Sequence, residues 1–176
     1  MPKCFAVQIA FRYGSAALGW HVSDYSVLVV EDDANMQGFL QEVLASEGYS
    51  VLTASDGQDA LGQALARKPD LSLLDLRMPT LDGVTFCKTV RMDQRTQTIP
   101  IIVVTSLNMP AKLEESMAAG ADDFIGKPFD VQDLTVRVRA MLKVKHLTNP
   151  RERTQQYTFA LRQLRGENPP TSSPKA

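Results

Sequence analysis

The stretch Leu71-Ser72-Leu73-Leu74-Asp75 constrains the fold more than any other part of the chain. A mostly apolar run meets a carboxylate. Leu76-Arg77-Met78-Pro79 and then Asp82-Gly83 follow at once. An apolar run of this length, without polar alternation, suits a strand buried on both faces, and such strands belong to parallel sheets. Open parallel sheets bind ligands in the crevice beyond the carboxyl ends of their strands. Asp75 is therefore expected where this architecture does its chemistry. Pro79 is expected to stop the strand and Asp82-Gly83 to turn into a helix.

The flanking segments repeat the theme. Ser26-Val27-Leu28-Val29-Val30 reads as a buried strand ending in Glu31-Asp32-Asp33, with Asp33 as a helix cap. Met36, Phe39, Leu40, Val43 and Leu44 follow at helical spacing, and Gly48 ends that helix. Ser50 to Ala54 is a short strand, and Asp56-Gly57 opens a helix through Ala60, Leu61, Ala64 and Leu65. A helix after Gly83 carries Val84, Phe86, Cys87 and Val90. Ile99 to Thr105 is the next strand. Pro110 opens a helix running to Gly120. Asp122 to Lys127 is a short strand before Pro128, and Asp130 starts a helix with Leu134, Val138, Met141 and Leu142, expected to end near Thr148.

Strands alternating with helices imply a parallel sheet covered on both sides. Right-handed crossovers leave few topologies. The expected fold is a doubly wound α/β domain over residues 25–146, with a five-stranded parallel sheet of flavodoxin-like order 2-1-3-4-5. Residues 1–24 read as a loosely ordered leader, although Val7, Ile9, Phe11 and Tyr13 alternate as in an edge strand. Residues 147–166 read as a basic helical extension with Tyr157, Leu161 and Leu164 at helical spacing. Residues 167–176 read as a disordered tail rich in Pro and Ser.

A net charge of -1 and a pI near 6.1 argue against bulk attraction to nucleic acid or membranes. Cys4 and Cys87 are too few for a disulfide framework or a zinc cluster, which suits a reducing, cytoplasmic setting. No apolar run is long enough to span a bilayer, and Gln8 and Arg12 interrupt any signal-like stretch after Lys3.

The strand ends carry the chemistry. They are Glu31-Asp32, Asp75, Thr105-Ser106 and Lys127, and in a parallel sheet all lie on one edge. Converging carboxylates cannot all stay ionised unless a cation intervenes. Oxygen donors of this kind suit Mg²⁺. Lys127 offers a point charge and Thr105 a hydroxyl to phosphoryl oxygens, and Asp75 becomes a carboxylate nucleophile for phosphoryl transfer. Taken singly, each has a plainer reading: an acid as a cap, a lysine as surface charge, a threonine as a structural hydroxyl. Their joint order along successive elements favours the shared site.

Val29-Val30-Glu31-Asp32, Leu74-Asp75-Leu76-Arg77-Met78-Pro79, Asp82-Gly83, Val103-Val104-Thr105-Ser106 and Lys127-Pro128-Phe129 together resemble the receiver domain of bacterial two-component response regulators, of the CheY-like superfamily. The resemblance covers residues 26–146. It implies Asp75 as phosphoacceptor. Glu31, Asp32, Asp75 and the backbone carbonyl of Arg77 would be the Mg²⁺ ligands. Thr105 would be the switch hydroxyl, Lys127 the phosphoryl-binding lysine and Phe124 the switch aromatic. Two departures matter. Glu31 stands where the family often has Asp, and Ser106, small enough to leave the pocket open, follows Thr105.

The implied function is a phosphorylation-activated switch rather than an enzyme, with slow loss of the phosphoryl group allowed for. It would receive the phosphoryl group from a sensor histidine kinase or phosphotransfer protein. The signal would pass to a downstream protein through the face made by the helix of Ala111 to Ala119, the strand ending at Lys127 and the helix of Val131 to Leu142, with pairing of two copies through that face as a further option. The leading expectation is a stand-alone receiver. The alternative is the receiver portion of a regulator whose DNA-binding or cyclic-dinucleotide output domain is lost or not recorded, because Val136 to Leu142 resembles receivers that carry such domains.

Lys143, Lys145, Arg151, Arg153, Arg162 and Arg165 stand against Glu152 in the extension. No recognition-helix pattern or aromatic platform accompanies them, so a solvated or partner-docking helix is expected rather than a nucleic-acid contact. A dinucleotide-binding enzyme is disfavoured because no glycine-rich turn follows the first strand. An Asp-x-Asp phosphatase is disfavoured because Arg77 occupies the second acidic position.

Overall fold

A computed structural model describes residues 25–78, 80–106, 108 and 110–167. The expected leader at 1–24, Pro79 and the tail from 168 lie outside these residues. The strands are β1 (Ser26–Val30), β2 (Ser50–Ala54), β3 (Leu71–Leu74), β4 (Ile101–Ser106) and β5 (Asp123–Lys127). The helices are α1 (Ala34–Ser46), α2 (Gly57–Arg67), α3 (Gly83–Met92), α4 (Pro110–Ala118), α5 (Val131–Val144) and α6 (Pro150–Arg165). They alternate through α5, and α6 follows directly.

All strands pair in parallel, in the order β2-β1-β3-β4-β5. This is the expected topology. β3 is central, and every one of its residues is buried, which is why its sequence shows no polar alternation. Side chains on successive strand residues point to opposite faces. Val27, Val29, Leu71, Leu73, Ile102, Val104 and Ile125 accordingly join one core cluster with residues of α1 and α5. Leu28, Val30, Leu74, Ile101 and Val103 join the other, with Ala60, Ala64, Phe86 and Val90. Each fully buried leucine in these layers contributes about 1.5–3 kcal/mol. Cys87 lies in the second cluster, where burial pushes its thiol up to about 12.

Acidic or amide side chains begin most helices. Asp33, Asp56, Asp82, Asp130 and Asn149 each accept hydrogen bonds from first-turn backbone N–H groups of α1, α2, α3, α5 and α6. The proline after Asn149 occupies the first turn of α6, where its missing N–H is harmless. α5 ends at Val144, earlier than the expected Thr148, and Leu147 N closes a turn onto Val144 O at 3.0 Å.

The extension is packed on the domain rather than solvated, solvation being one of the two settings expected of its charge. Its Arg153, Tyr157 and Ala160 are buried, and the latter two belong to the core cluster that contains α5. Charge counting missed this because the burying residues recur on one face while the basic residues mostly occupy the others. Among the described residues, no helix is long and apolar enough to cross a membrane.

Candidate phosphoacceptor site

Asp75 is the first residue beyond β3, and its backbone N–H bonds Val30 O of β1 at 2.9 Å. The central strand thus delivers its carboxylate to the carboxyl edge, beside the end of β1. Only 6% of Asp75 is exposed. Thr105 Oγ1, near the end of β4, donates to Asp75 Oδ1 at 3.0 Å, and Arg77 N donates to the same oxygen at 3.0 Å. Lys127 Nζ, at the end of β5, donates to Asp75 Oδ2 at 2.7 Å and to Glu31 Oε2 at 2.6 Å. One ammonium therefore joins the ends of β1, β3 and β5.

The electrostatics follow from burial and this bridge. Burial pushes the Glu31 carboxyl above its ordinary range, with Lys127 offsetting part of the effect. Burial works against the charge on Lys127, but bonds to Asp75 and Glu31 outweigh it and hold the ammonium above its ordinary range. A buried cation between carboxylates is worth keeping only where its bonds are satisfied, as they are here.

Glu31, Asp32 and Asp75 each offer a carboxylate oxygen, and these oxygens lie within 4.8 Å of one another. Hard oxygen donors at this separation fit a small divalent cation such as Mg²⁺. Asp32 is exposed, whereas Glu31 and Asp75 are buried, so the cluster opens to solvent on one side. The cleft above it, about 680 Å³, is lined by these acids with Arg77, Lys127, Asn35, Met36 and Phe39.

The other expected residues are placed as follows. Ser106 ends β4, half-buried, in register with Lys127. The Arg77 side chain is exposed at the cleft. Phe124, on β5, has 39% of its surface exposed and is not in the cleft lining. Residues whose place at the site was not evident from the sequence also contribute. Gln37 Nε2 donates to Glu31 O and Ala54 O, both at 3.0 Å, pinning α1 to the ends of β1 and β2. Phe39 shares the spacing of the core residues Leu40 and Leu44, yet it is 42% exposed and lines the cleft. Its adjacency to the apolar stripe hid this. Gly83 meets the site from below. A Cβ there would lie 2.8 Å from Asp75 O and from Leu76 Cα.

Against known proteins, the model of the response regulator receiver domain matches residues 27–139. The chain belongs to this receiver family. Response regulator ArlR of Staphylococcus aureus is 41% identical over 117 residues, covering 66% of this chain and 52% of ArlR. The chain thus spans about half the length of the curated relatives it matches. A putative response regulator from Chloroflexus aurantiacus is 36% identical with a TM-score of 0.66, covering 69% of this chain and 99% of that one. Chemotaxis response regulator CheY4 of Vibrio cholerae is 32% identical with a TM-score of 0.63, covering 66% and 98%. The receiver domain of a Pseudomonas aeruginosa sensor histidine kinase, described with magnesium coordinated in its active site cleft, is 29% identical with a TM-score of 0.65, covering 69% and 99%. The acidic cluster of the present receiver stands at the carboxyl edge of the sheet, and receivers of response regulators interact with histidine kinases and output targets.

Proposed function

We propose that Asp75 is the phosphoacceptor of a two-component phosphorelay. The observation that carries this reading is the convergence on its two oxygens of the Thr105 hydroxyl and the Lys127 ammonium, beside Glu31 and Asp32. In the proposed step an Asp75 oxygen attacks the phosphorus of a phosphohistidine on a sensor kinase or phosphotransfer protein. The P–N bond breaks as the P–O bond forms, and the released imidazole nitrogen takes up a proton. Lys127 stabilises negative charge on the transferred group, and Thr105 offers a hydrogen bond to one of its oxygens. Glu31, Asp32, Asp75 and the Arg77 carbonyl would hold Mg²⁺, which when bound offsets the charge of the phosphoryl oxygens.

The output is a shift in population rather than a reaction. Thr105 moving toward the phosphoryl group leaves room for the Phe124 ring, and the face of α4, β5 and α5 changes for a downstream protein or a second copy. The receiver unit is residues 25–146, working in the cytoplasm. A second reading takes its support from the relatives, only 52% of whose length this chain matches. In it the same receiver serves a regulator with a DNA-binding or cyclic-dinucleotide output domain. The mass of the natural protein decides between the two.

The test is incubation with acetyl phosphate and Mg²⁺, read by intact mass. A single phosphoryl adduct, labile in base and absent from Asp75→Ala, is expected. An adduct that persists in Asp75→Ala would move the acceptor elsewhere.

A further inference from the structure

α6 lies beyond the family match, which ends at residue 139, yet it is bound into the receiver. The spacing i, i+4, i+7, i+11 recurs on two helices: Asp133, Arg137, Ala140 and Val144 on α5, and Arg153, Tyr157, Ala160 and Leu164 on α6. Residues so spaced share one helical face. Ala140 is fully buried, and Val144, Tyr157 and Ala160 nearly so. The short connection from Lys145 to Asn149 makes the two helices a hairpin.

Polar contacts fasten the hairpin to the sheet and close it on itself. Tyr157 donates its hydroxyl to Asp123 Oδ2, and Arg137 Nη1 bonds the same oxygen at 2.6 Å. Arg165 pairs with Asp133. Arg153 Nη1 donates to Thr98 O at 3.0 Å, ahead of β4.

Asp123 is the first residue of β5 and Lys127 the last. Alternation puts Asp123, Ile125 and Lys127 on the same face of the strand, and Ile125 packs in the cluster shared with α5. One side of one short strand thus carries the fastening of α6 at one end and the cation of the phosphoacceptor site at the other, roughly 13 Å apart. Among the described residues β5 has a single strand neighbour, β4. It is less restrained than any inner strand.

We propose that α6 is a latch in cis. It covers the outer face of α5 and the start of β5 in the resting protein, and phosphorylation of Asp75 loosens it through β5. The proposal rests on the phosphoacceptor reading above. At rest, Lys127 Nζ is divided between Glu31 and Asp75. A phosphoryl group adds anionic acceptor oxygens to one side of that division. Lys127 is drawn toward them. Thr105, whose register partner is Gly126, is drawn with it. Both pulls act on the carboxyl half of β5, and Asp123 at the other end moves against Arg137 and Tyr157. Hydrogen bonds weaken steeply with distance and angle, so a small displacement favours the undocked state.

Hydrogen–deuterium exchange on the full chain with Mg²⁺, with and without acetyl phosphate, tests the latch, with intact mass read on the same samples. Exchange in peptides from α6 is expected to rise about tenfold on phosphorylation, while α2 stays unchanged and Asp75→Asn shows no response. Tyr157→Phe should raise α6 exchange several-fold without any donor. An Asp75 adduct with unchanged α6 exchange overturns the latch and leaves the phosphoacceptor reading intact. Absence of any adduct overturns both. Exchange in Tyr157→Phe equal to the parent's overturns the role of the Asp123 fastening.

Discussion

Arg165, in the last turn of α6, pairs with Asp133, in the first turn of α5, across the hairpin. Arg137 Nε holds the other Asp133 oxygen at 2.9 Å. Burial pushes the Asp133 carboxyl up, but the two guanidiniums outweigh it and hold its pKa below the ordinary 3.8. A carboxyl depressed on folding stabilises the fold above its unfolded pKa, and that stability is lost as pH falls through the folded value. The seating of the end of α6 is therefore expected to be constant at neutral pH and to weaken below pH 3.8. Amide exchange in α6 measured between neutral and acid pH checks this, against Asp133→Asn, which should lack that part of the response. Equal acid profiles for parent and variant would refute it.

Lys127 neutralises two acids that are otherwise shut away, Glu31 at 2% exposure and Asp75 at 6%. Lys127→Met keeps most of the volume and removes the charge. Breaking such a pair from one side costs about 3–5 kcal/mol, and urea unfolding without Mg²⁺ should show a loss of that order. Added Mg²⁺ should restore part of it, because a ligand of the native state alone stabilises by mass action. An unchanged unfolding midpoint would mean that the bridge contributes little.

Thr105→Val is nearly isosteric and deletes only the hydroxyl that donates to Asp75 Oδ1. The bond runs to a charged, buried acceptor, so a loss of about 1.5–3 kcal/mol is expected in denaturant unfolding. Arg77 N still serves that oxygen, which favours the lower end. The variant should still take up a phosphoryl group at Asp75 but show a smaller exchange response in α6. A full response would remove Thr105 from the coupling.

Gly83→Ala should be costly for a reason specific to the site. The added Cβ would also lie 2.9 Å from Leu76 Cδ2, beyond its contacts with Asp75 O and Leu76 Cα. Backbone cannot swing aside as a flexible side chain does. Overpacking of this kind costs about 1–3 kcal/mol. A lowered melting temperature with slower phosphoryl uptake is expected. Wild-type stability would show that the start of α3 shifts without strain.

Much of this protein was legible in its sequence because local rules and the fold agree. The unbroken apolar run of β3 announced a strand buried on both faces, and alternation of strands with helices left few topologies. Strand-end placement also named Glu31, Asp32, Asp75, Thr105 and Lys127 together, since a parallel sheet sends all its carboxyl ends to one edge. Tertiary structure alone decided the rest. Phe39 has the spacing of a core residue, and only the position of α1 beside the cleft turns it outward. Lys127 bridges Glu31 and Asp75 through space, a pairing that no sequence spacing encodes. The extension looked like a solvated basic helix. It is buried because α5 presents a second face, one that becomes a face only when another helix lies against it. Sequence reports which residues share a side of their own element, whereas the partner that side meets is set by how the elements stack.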